Sequence, residues 1–320
     1  MSYISMVEVT HRDYEEFIKA CREVVVENVR VRLCEKRSIS SYAPPKEYKL
    51  EHETVWSFPD RGDWATHVGD YRGNWSPYIP RNLIMKYTGK GDWVLDQMVG
   101  SGTTLVECKL LGRNAIGVDI NRDAIMVTRD RLNFAYNPIN ENYVEPIIKT
   151  YVGDARNLDG IESGSIDLIA THPPYARIIP YTKSKVEGDL SNLPLPRYLE
   201  EMHKVAEECM RVLKPNKYCA ILVGDTRQRR HYVPIAFRVM QQFLDVGFVL
   251  KEDIIKRQWK TKTTREKWRG RYDFYLIAHE HLFVFRKLDE GEKPLDYKYS
   301  ISGSPSSEGG RTHHFKNICT

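Results

Sequence analysis

Of the six cysteines (Cys21, Cys34, Cys108, Cys209, Cys219, Cys319), none stands in a Cys-x-x-Cys pair. That spacing is what zinc modules need, so no metal site is expected. Scattered thiols and no secretory leader fit a reducing, cytoplasmic setting. No apolar run approaches the roughly 20 residues that span a bilayer, so no membrane partner is expected. No repeat recurs at solenoid or propeller periods. Neither sign of charge dominates. The 320 residues carry 48 basic and 43 acidic side chains, a net +5, which permits a nucleic-acid partner without requiring one. With 41% hydrophobic and 28% charged residues, the chain has the composition of a globular protein with ample length for a core.

What is present is an alternation. Residues 11–36 carry Phe17, Ile18, Val24, Val25, Val29 and Leu33 among many charges and read as an amino-terminal helical segment within residues 1–50. "SISSYAPPKE" has the composition of a linker. From about residue 92, "DWVLDQM", "NAIGVDI", "IIKTYVGD", "SIDLIATH" and "KYCAILVGD" read as strands. Between and after them "SGTTLVECKLLG", "NRDAIMVTRDRLNFAY", "RYLEEMHKVAEECMRVL" and "PIAFRVMQQFLDVG" read as helices, closed by Gly112, capped by Asn121, stopped before Pro215 and ended at Gly247. "FVLKEDIIKRQ" and "EHLFVFRK" suit a final antiparallel pair. The pattern implies an α/β fold, an open and mostly parallel sheet with helices on both faces. Residues 288–320, with "SISGSPSSEGG", read as a flexible tail.

Two turns carry the chemistry. In "VLDQMVGSGTT" a strand runs through Asp96 into Gly100, Ser101, Gly102, Thr103 and Thr104, where a helix begins. Ligands of such sheets lie beyond the carboxyl ends of the strands, and glycines let backbone approach them. The pattern is neither the dinucleotide G-x-G-x-x-G nor a P-loop, since no lysine follows the second glycine. Asp119 ends the next strand 23 residues after Asp96, where an acid can hold ribose hydroxyls, and Asp154 ends the third. Each could be a helix cap; three on successive strand ends argue for a ligand. The fourth strand ends in His172-Pro173-Pro174-Tyr175. A Pro-Pro turn is rigid and leaves carbonyls without ladder partners beside an aromatic face, which suits a flat ring bearing an amino group.

Together these motifs resemble the S-adenosylmethionine-dependent amino-methyltransferases of DNA. Their cofactor motif is Asp-Pro-Phe-x-Gly-Ser-Gly-Thr-Thr. This chain keeps Asp96 and Gly100 to Thr104 and departs at Gln97 and Met98. Their catalytic motif is Asp, Asn or Ser before Pro-Pro-Tyr or Pro-Pro-Phe, and here His172 replaces the first residue. "FPDRGDW" and "YRGNWSPYIPRNLI" resemble the segment that closes over the methionine end, and the likeness spans residues 55–287.

The resemblance implies a Rossmann-like domain over residues 51–287, with seven strands and the last antiparallel. S-adenosylmethionine is the implied cofactor. Asp96, the Gly100–Thr104 turn, Trp75 and Pro80 would hold its methionine part, Asp119 and Ile120 the ribose, and Asp154 and Ala155 the adenine. The Pro173 carbonyl would accept from the target amino group and Tyr175 would stack on a flipped-out base, with Pro174 shaping the turn. His172 can accept only while neutral, so activity should fall below its pKa, about 6.5 if unperturbed.

"KRQWKTKTTREKWRGR", residues 256–271, holds eight basic residues and one acid, Glu266, a local +7, with Trp259 and Trp268 interleaved. It suits double-stranded DNA through Lys256, Arg257, Lys260, Lys262, Arg265, Lys267 and Arg269; a solvated charged loop is the plain alternative. Arg227, Arg229 and Arg230 of "DTRQRRH" and Arg177 after the catalytic turn could add contacts. Recognition is expected from insertions near 176–195 and 256–275. No Pro-Cys dipeptide occurs, which disfavours methylation at carbon five of cytosine. A non-acidic residue 172 tilts the expectation to cytosine N4. Adenine N6 stays open, as does guanosine N2 in RNA. A cognate restriction endonuclease is a candidate partner.

Overall fold

Turn chemistry sets the repeating unit. The computed structural model describes residues 3–26, 29–34, 39–71, 73–138, 143–175, 188–259 and 273–303. In it Gly112 adopts φ 69°, the left-handed geometry that ends a helix, and Asn121 caps the next through its side chain. The elements in order are β1 (Val7–Glu8), α1 (His11–Ala20), β2 (Glu23–Val26), β3 (Val29–Arg32), β4 (Val55–Ser57), α2 (Tyr78–Tyr87), β5 (Trp93–Asp96), α3 (Thr103–Leu111), β6 (Asn114–Asp119) and α4 (Arg122–Leu132). Then come β7 (Ile148–Val152), β8 (Ile166–Thr171), α5 (Leu195–Val212), β9 (Leu213–Gly224), β10 (Thr226–Gln228), β11 (His231–Val233), α6 (Ile235–Asp245), β12 (Val249–Arg257) and β13 (His279–Arg286).

The main sheet runs β1-β7-β6-β5-β8-β9-β13-β12-β4. Strands β7 to β9 are parallel, and β13 is antiparallel to both β9 and β12. This is the doubly wound order in which the chain reverses between β5 and β8, so a crevice opens at their carboxyl ends. The expected seven strands are all there. Two short edge strands, β1 and β4, make nine among the described residues, so the expected count is corrected. Strands this short carry too few residues for a period-2 pattern to be read.

One face packs α2, α3 and α4 around Ile79, Leu83, Leu105 and Ile125; the other packs α5 and α6 around Tyr198, Val205, Phe243 and Phe285. A fully buried side chain of this size contributes about 1.5–3 kcal/mol. α3 is buried nearly all round, because it lies between α2, α4 and the sheet.

The expected amino-terminal helix is corrected. It stops at Ala20, and Glu23–Val26 pairs antiparallel with Val29–Arg32 as β2 and β3. Val24, Val25, Val26, Val29 and Val31 are β-branched, stiff at χ1 and better seated in a pleat. Residues 1–50 are not separate from the domain, since Val9, Tyr14, Val24, Val31 and Leu33 share its core. Tyr14 donates to Asp130 on α4 (2.7 Å). The expected flexible tail is corrected over 288–303. Leu250 N–H donates to the Ser300 carbonyl at 2.8 Å and Arg286 pairs with Glu292 at 2.7 Å. The rest of the tail lies outside the described residues.

Candidate functional site

Strand ends set the first half of the site. Asp96 is buried, and each of its oxygens is bound. Thr104 Oγ1 donates at 2.5 Å from α3, and Thr171 Oγ1 at 2.8 Å from β8. Burial pushes its carboxyl up to about 6 against those hydrogen bonds. Gln97, at the first departure from the family motif, turns to the opposite face and donates to Cys209 Sγ at 3.1 Å. Gly102 sits at φ 81°, where a Cβ would stand 2.9 Å from Thr128 Cγ2, so only glycine fits. No side chain caps the amino end of α3, which leaves that end open to an anion.

Asp119 accepts from Gly100 N–H (3.0 Å) and Asn121 N–H (2.9 Å), and burial pushes its carboxyl up to about 6 as well. Asp154 is bound by Arg156, whose Nε lies 2.8 Å from Oδ1 and whose Nη1 reaches Glu201 at 2.7 Å. The third acid is therefore charge-neutralised by its own neighbour, a pairing not expected from sequence.

These groups face one cavity of about 830 Å³, within the usual range for a small-molecule site. Asp96, Gly100, Ser101 and Thr103 line it, as do Asp119, Ile120, Asp154, Ala155 and Trp75. Three expected residues do not. Gly102 and Thr104 stand behind the turn, and Pro80 is buried in the first turn of α2 against the core.

The segment before α2 forms the second wall, and a buried carboxylate anchors it. Glu107 of α3 accepts at Oε1 from Trp64 Nε1 (2.7 Å) and binds His67 Nε2 (2.7 Å); its Oε2 accepts from Arg81 (2.8 Å). Burial opposes ionisation there, but the His67 and Arg81 contacts hold the carboxyl below its ordinary value. Arg61, on this wall, was not anticipated. Its Nη1 donates to the Asn74 carbonyl (3.1 Å), while Nε and Nη2 are buried without acceptors among the described residues. Burial draws its pKa down to about 10. Buried donors without partners in a cavity suit an anionic ligand.

The opposite end holds the Pro-Pro turn, and His172, Pro173, Pro174 and Tyr175 all line the same cavity. The Pro174 carbonyl accepts from Tyr198 (2.9 Å), whereas no donor among the described residues meets the Pro173 carbonyl. His172 stacks against Trp75, ring centroids 6.1 Å apart at 24°. Tyr175 packs over Gly224, where a Cβ would meet its hydroxyl at 2.9 Å, and donates to Glu280 of β13 (2.9 Å). Glu280 was not anticipated either. Its sequence neighbours give no sign, but the register sets it opposite both Gly224 and Lys256.

The basic residues divide. Lys256 lies in the cavity wall with its ammonium 2.7 Å from Glu280, so it is an interior ion-pair partner rather than an exposed phosphate contact. Arg257 stacks on Trp259 (4.3 Å) at the cavity mouth. Arg227 packs on Phe274 (4.5 Å) and donates to the Tyr275 carbonyl (2.8 Å), Arg230 pairs with Asp273 (2.8 Å), and Arg229 sits at φ 49° beside them. Arg177, Lys260, Lys262, Arg265, Lys267 and Arg269 lie outside the described residues. Among those described, no group of three metal-ligating side chains occurs, and no helix is long and apolar enough to cross a membrane.

The lining fits S-adenosylmethionine chemically. An amino-acid carboxylate has the unused donors of Arg61, and ribose hydroxyls have Asp119. The cavity also runs on from these groups to the Pro-Pro turn.

The profile of a family described as DNA methylase, of the N6/N4 type, matches residues 9–130 and 166–316. The tRNA (guanine(10)-N2)-dimethyltransferase of Pyrococcus abyssi is 29% identical over 52% of this chain and 44% of its own. The type II methyltransferase M.HpaI of Haemophilus parainfluenzae is 29% identical over 40% of each chain. The chain thus spans less than half the length of these curated relatives. A SAM-dependent methyltransferase structure from Methanosarcina mazei aligns at TM-score 0.44 and 17% identity, over 65% of this chain and 98% of that one.

Proposed function

The chain belongs to the DNA methylase family of N6- and N4-amino-methyltransferases, and from that premise we propose that it methylates the exocyclic N4 amino group of cytosine in double-stranded DNA. The observation that carries this reading is one cavity joining the strand-end acids to the His172–Tyr175 turn. When bound, S-adenosylmethionine would supply an electrophilic methyl group to the amino nitrogen. Asp119 would accept from its ribose hydroxyls and the unused donors of Arg61 would meet its carboxylate. The unmet Pro173 carbonyl accepts one amino N–H, which draws lone-pair density out of the ring. Trp75 and the stacked His172 offer an aromatic wall to a base turned out of the helix. Such extrusion costs a few kcal/mol and stacking returns about 1–3 kcal/mol.

Cytosine is favoured over adenine because residue 172 is not an acid. The Pyrococcus relative, a tRNA guanine-N2 enzyme by name, gives a second reading of the same amino chemistry on RNA. Incubation with labelled S-adenosylmethionine and unmethylated genomic DNA, or total tRNA, followed by nucleoside mass spectrometry, separates them. N4-methylcytosine is expected. N6-methyladenine would change the base and keep the mechanism; label in tRNA guanosine alone would move the substrate to RNA.

A further inference from the structure

Groups from β12, β13 and the Pro-Pro turn form one hydrogen-bonded chain inside the cavity. Lys256 Nζ donates to Glu280 Oε2 (2.7 Å), Tyr175 donates to Glu280 Oε1 (2.9 Å), and His172 Nε2 stands 2.9 Å from the Tyr175 oxygen. The directions of these bonds are forced. Burial alone would raise the Glu280 carboxyl, but the Lys256 ammonium, with His172 and the Tyr175 hydroxyl, holds it at about 2. It is therefore a carboxylate at neutral pH and can only accept. The one hydroxyl proton of Tyr175 is committed to it. The tyrosine oxygen must then accept from His172, so Nε2 carries the hydrogen.

A neutral imidazole has a single N–H, which leaves Nδ1 as a bare lone pair. Burial, the largest influence, lowers the basicity of this ring; Glu280 opposes it and Lys256 adds to it. Nδ1 is buried and makes no hydrogen bond among the described residues, while the Gly73 backbone beside the ring raises its basicity, as Glu280 does. A buried acceptor without a donor carries a desolvation penalty that an arriving N–H would relieve.

We propose that Glu280 and Lys256 are positioning residues that act through the Tyr175 hydroxyl to lock His172 as the Nε2–H tautomer, so that Nδ1 accepts from the amino group being methylated. The part that names the amino group rests on the function proposed above. The proton that the amino nitrogen sheds as it gains the methyl passes to Nδ1 and then to water.

The link is read in the full chain labelled with 15N-histidine, the His172 signals being assigned by their loss in His172→Asn. The wild type is expected to show a protonated Nε2 and a bare Nδ1. In Glu280→Gln the new amide can donate to the tyrosine oxygen, the tyrosine proton turns to Nε2, and the hydrogen moves to Nδ1. An unchanged tautomer in that variant overturns the proposal. Should Glu280→Gln not fold, Tyr175→Phe removes the hydroxyl and keeps the ring; a mixture of tautomers is expected, and a pure Nε2–H ring overturns it.

The acceptor is read by methyl transfer. An asparagine amide oxygen lies near the place of Nδ1 and a glutamine one near that of Nε2. His172→Asn is expected to stay within about tenfold of wild type and His172→Gln to lose about a hundredfold in single-turnover rate. Equal losses overturn the Nδ1 assignment. A wild type that shows the expected tautomers but methylates no nucleic acid overturns the Nδ1–substrate half and the function it rests on, and supports the relay half.

Discussion

The two halves of the cavity are built by opposite means. In the cofactor half Asp119 and Asp154 are held by groups near them in sequence, and only Asp96 also takes a distant donor, Thr171 of β8. Asp119 takes amide hydrogens from Gly100 and Asn121, and Asp154 is bound by Arg156 two residues on. In the target half the decisive contact joins Tyr175 to Glu280 across 105 residues, and Lys256 meets Glu280 only through the β12–β13 register. Burial raises Asp96 and Asp119 to about 6, whereas it lowers His172 and is overcome at Glu280. The first half keeps two buried carboxyls near the edge of ionisation, Asp96 with both oxygens already bound by hydroxyls. The second holds its charges firmly and leaves one lone pair unused.

Breaking the target half should cost the most stability. Lys256→Met leaves the Glu280 carboxylate buried without its counter-ion and is expected to destabilise by about 3 kcal/mol in urea denaturation. Binding of S-adenosylhomocysteine should change little by titration calorimetry; a large loss of that binding would mean that the two halves are not separable. In the cofactor half, Gly102→Ala forces a side chain to φ 81° and onto Thr128. It should cost about 2 kcal/mol of stability by the same denaturation.

Smaller effects sharpen the cofactor half alone. Arg61→Gln removes a charged donor from the cavity and should weaken S-adenosylhomocysteine by about 1.5 kcal/mol. 5′-Methylthioadenosine, which lacks the carboxylate, should bind as before; an equal loss for both ligands would remove Arg61 from that role. Asp119 must be ionised to accept fully from ribose, and its carboxyl stands at about 6. Affinity is therefore complete above that value and lost below it, falling about tenfold between pH 7 and 5. Asp119→Asn should flatten that dependence, whereas the Glu280 relay, with a carboxyl at about 2, does not titrate in this window.

The elements that alternate after residue 92 were legible because each carries its own punctuation. Gly112 ends a helix, Asn121 begins one, and apolar runs of strand length precede the acids. The β2–β3 pair was misread because valines spaced among charges satisfy a helical period while their branching favours a pleat. Lys256 was read with the basic run in which it stands, and nothing local marks it as interior. The ordered residues 288–303 were misread for a similar reason: polar composition does not reveal the Ser300 carbonyl that Leu250 meets.

The sequence by itself determined the parallel sheet, the glycine turn, the strand-end acids and the His172–Tyr175 turn. Each rests on residues adjacent in the chain, whose conformational preferences act locally. Only the tertiary structure decided what those residues can do. Asp154 is neutralised, Arg61 is left with unused donors, and Glu280, Lys256 and Tyr175 orient His172. Burial and strand register set these outcomes, since they fix which charges lose water and which partners they meet, and neither is written in any short stretch of the chain.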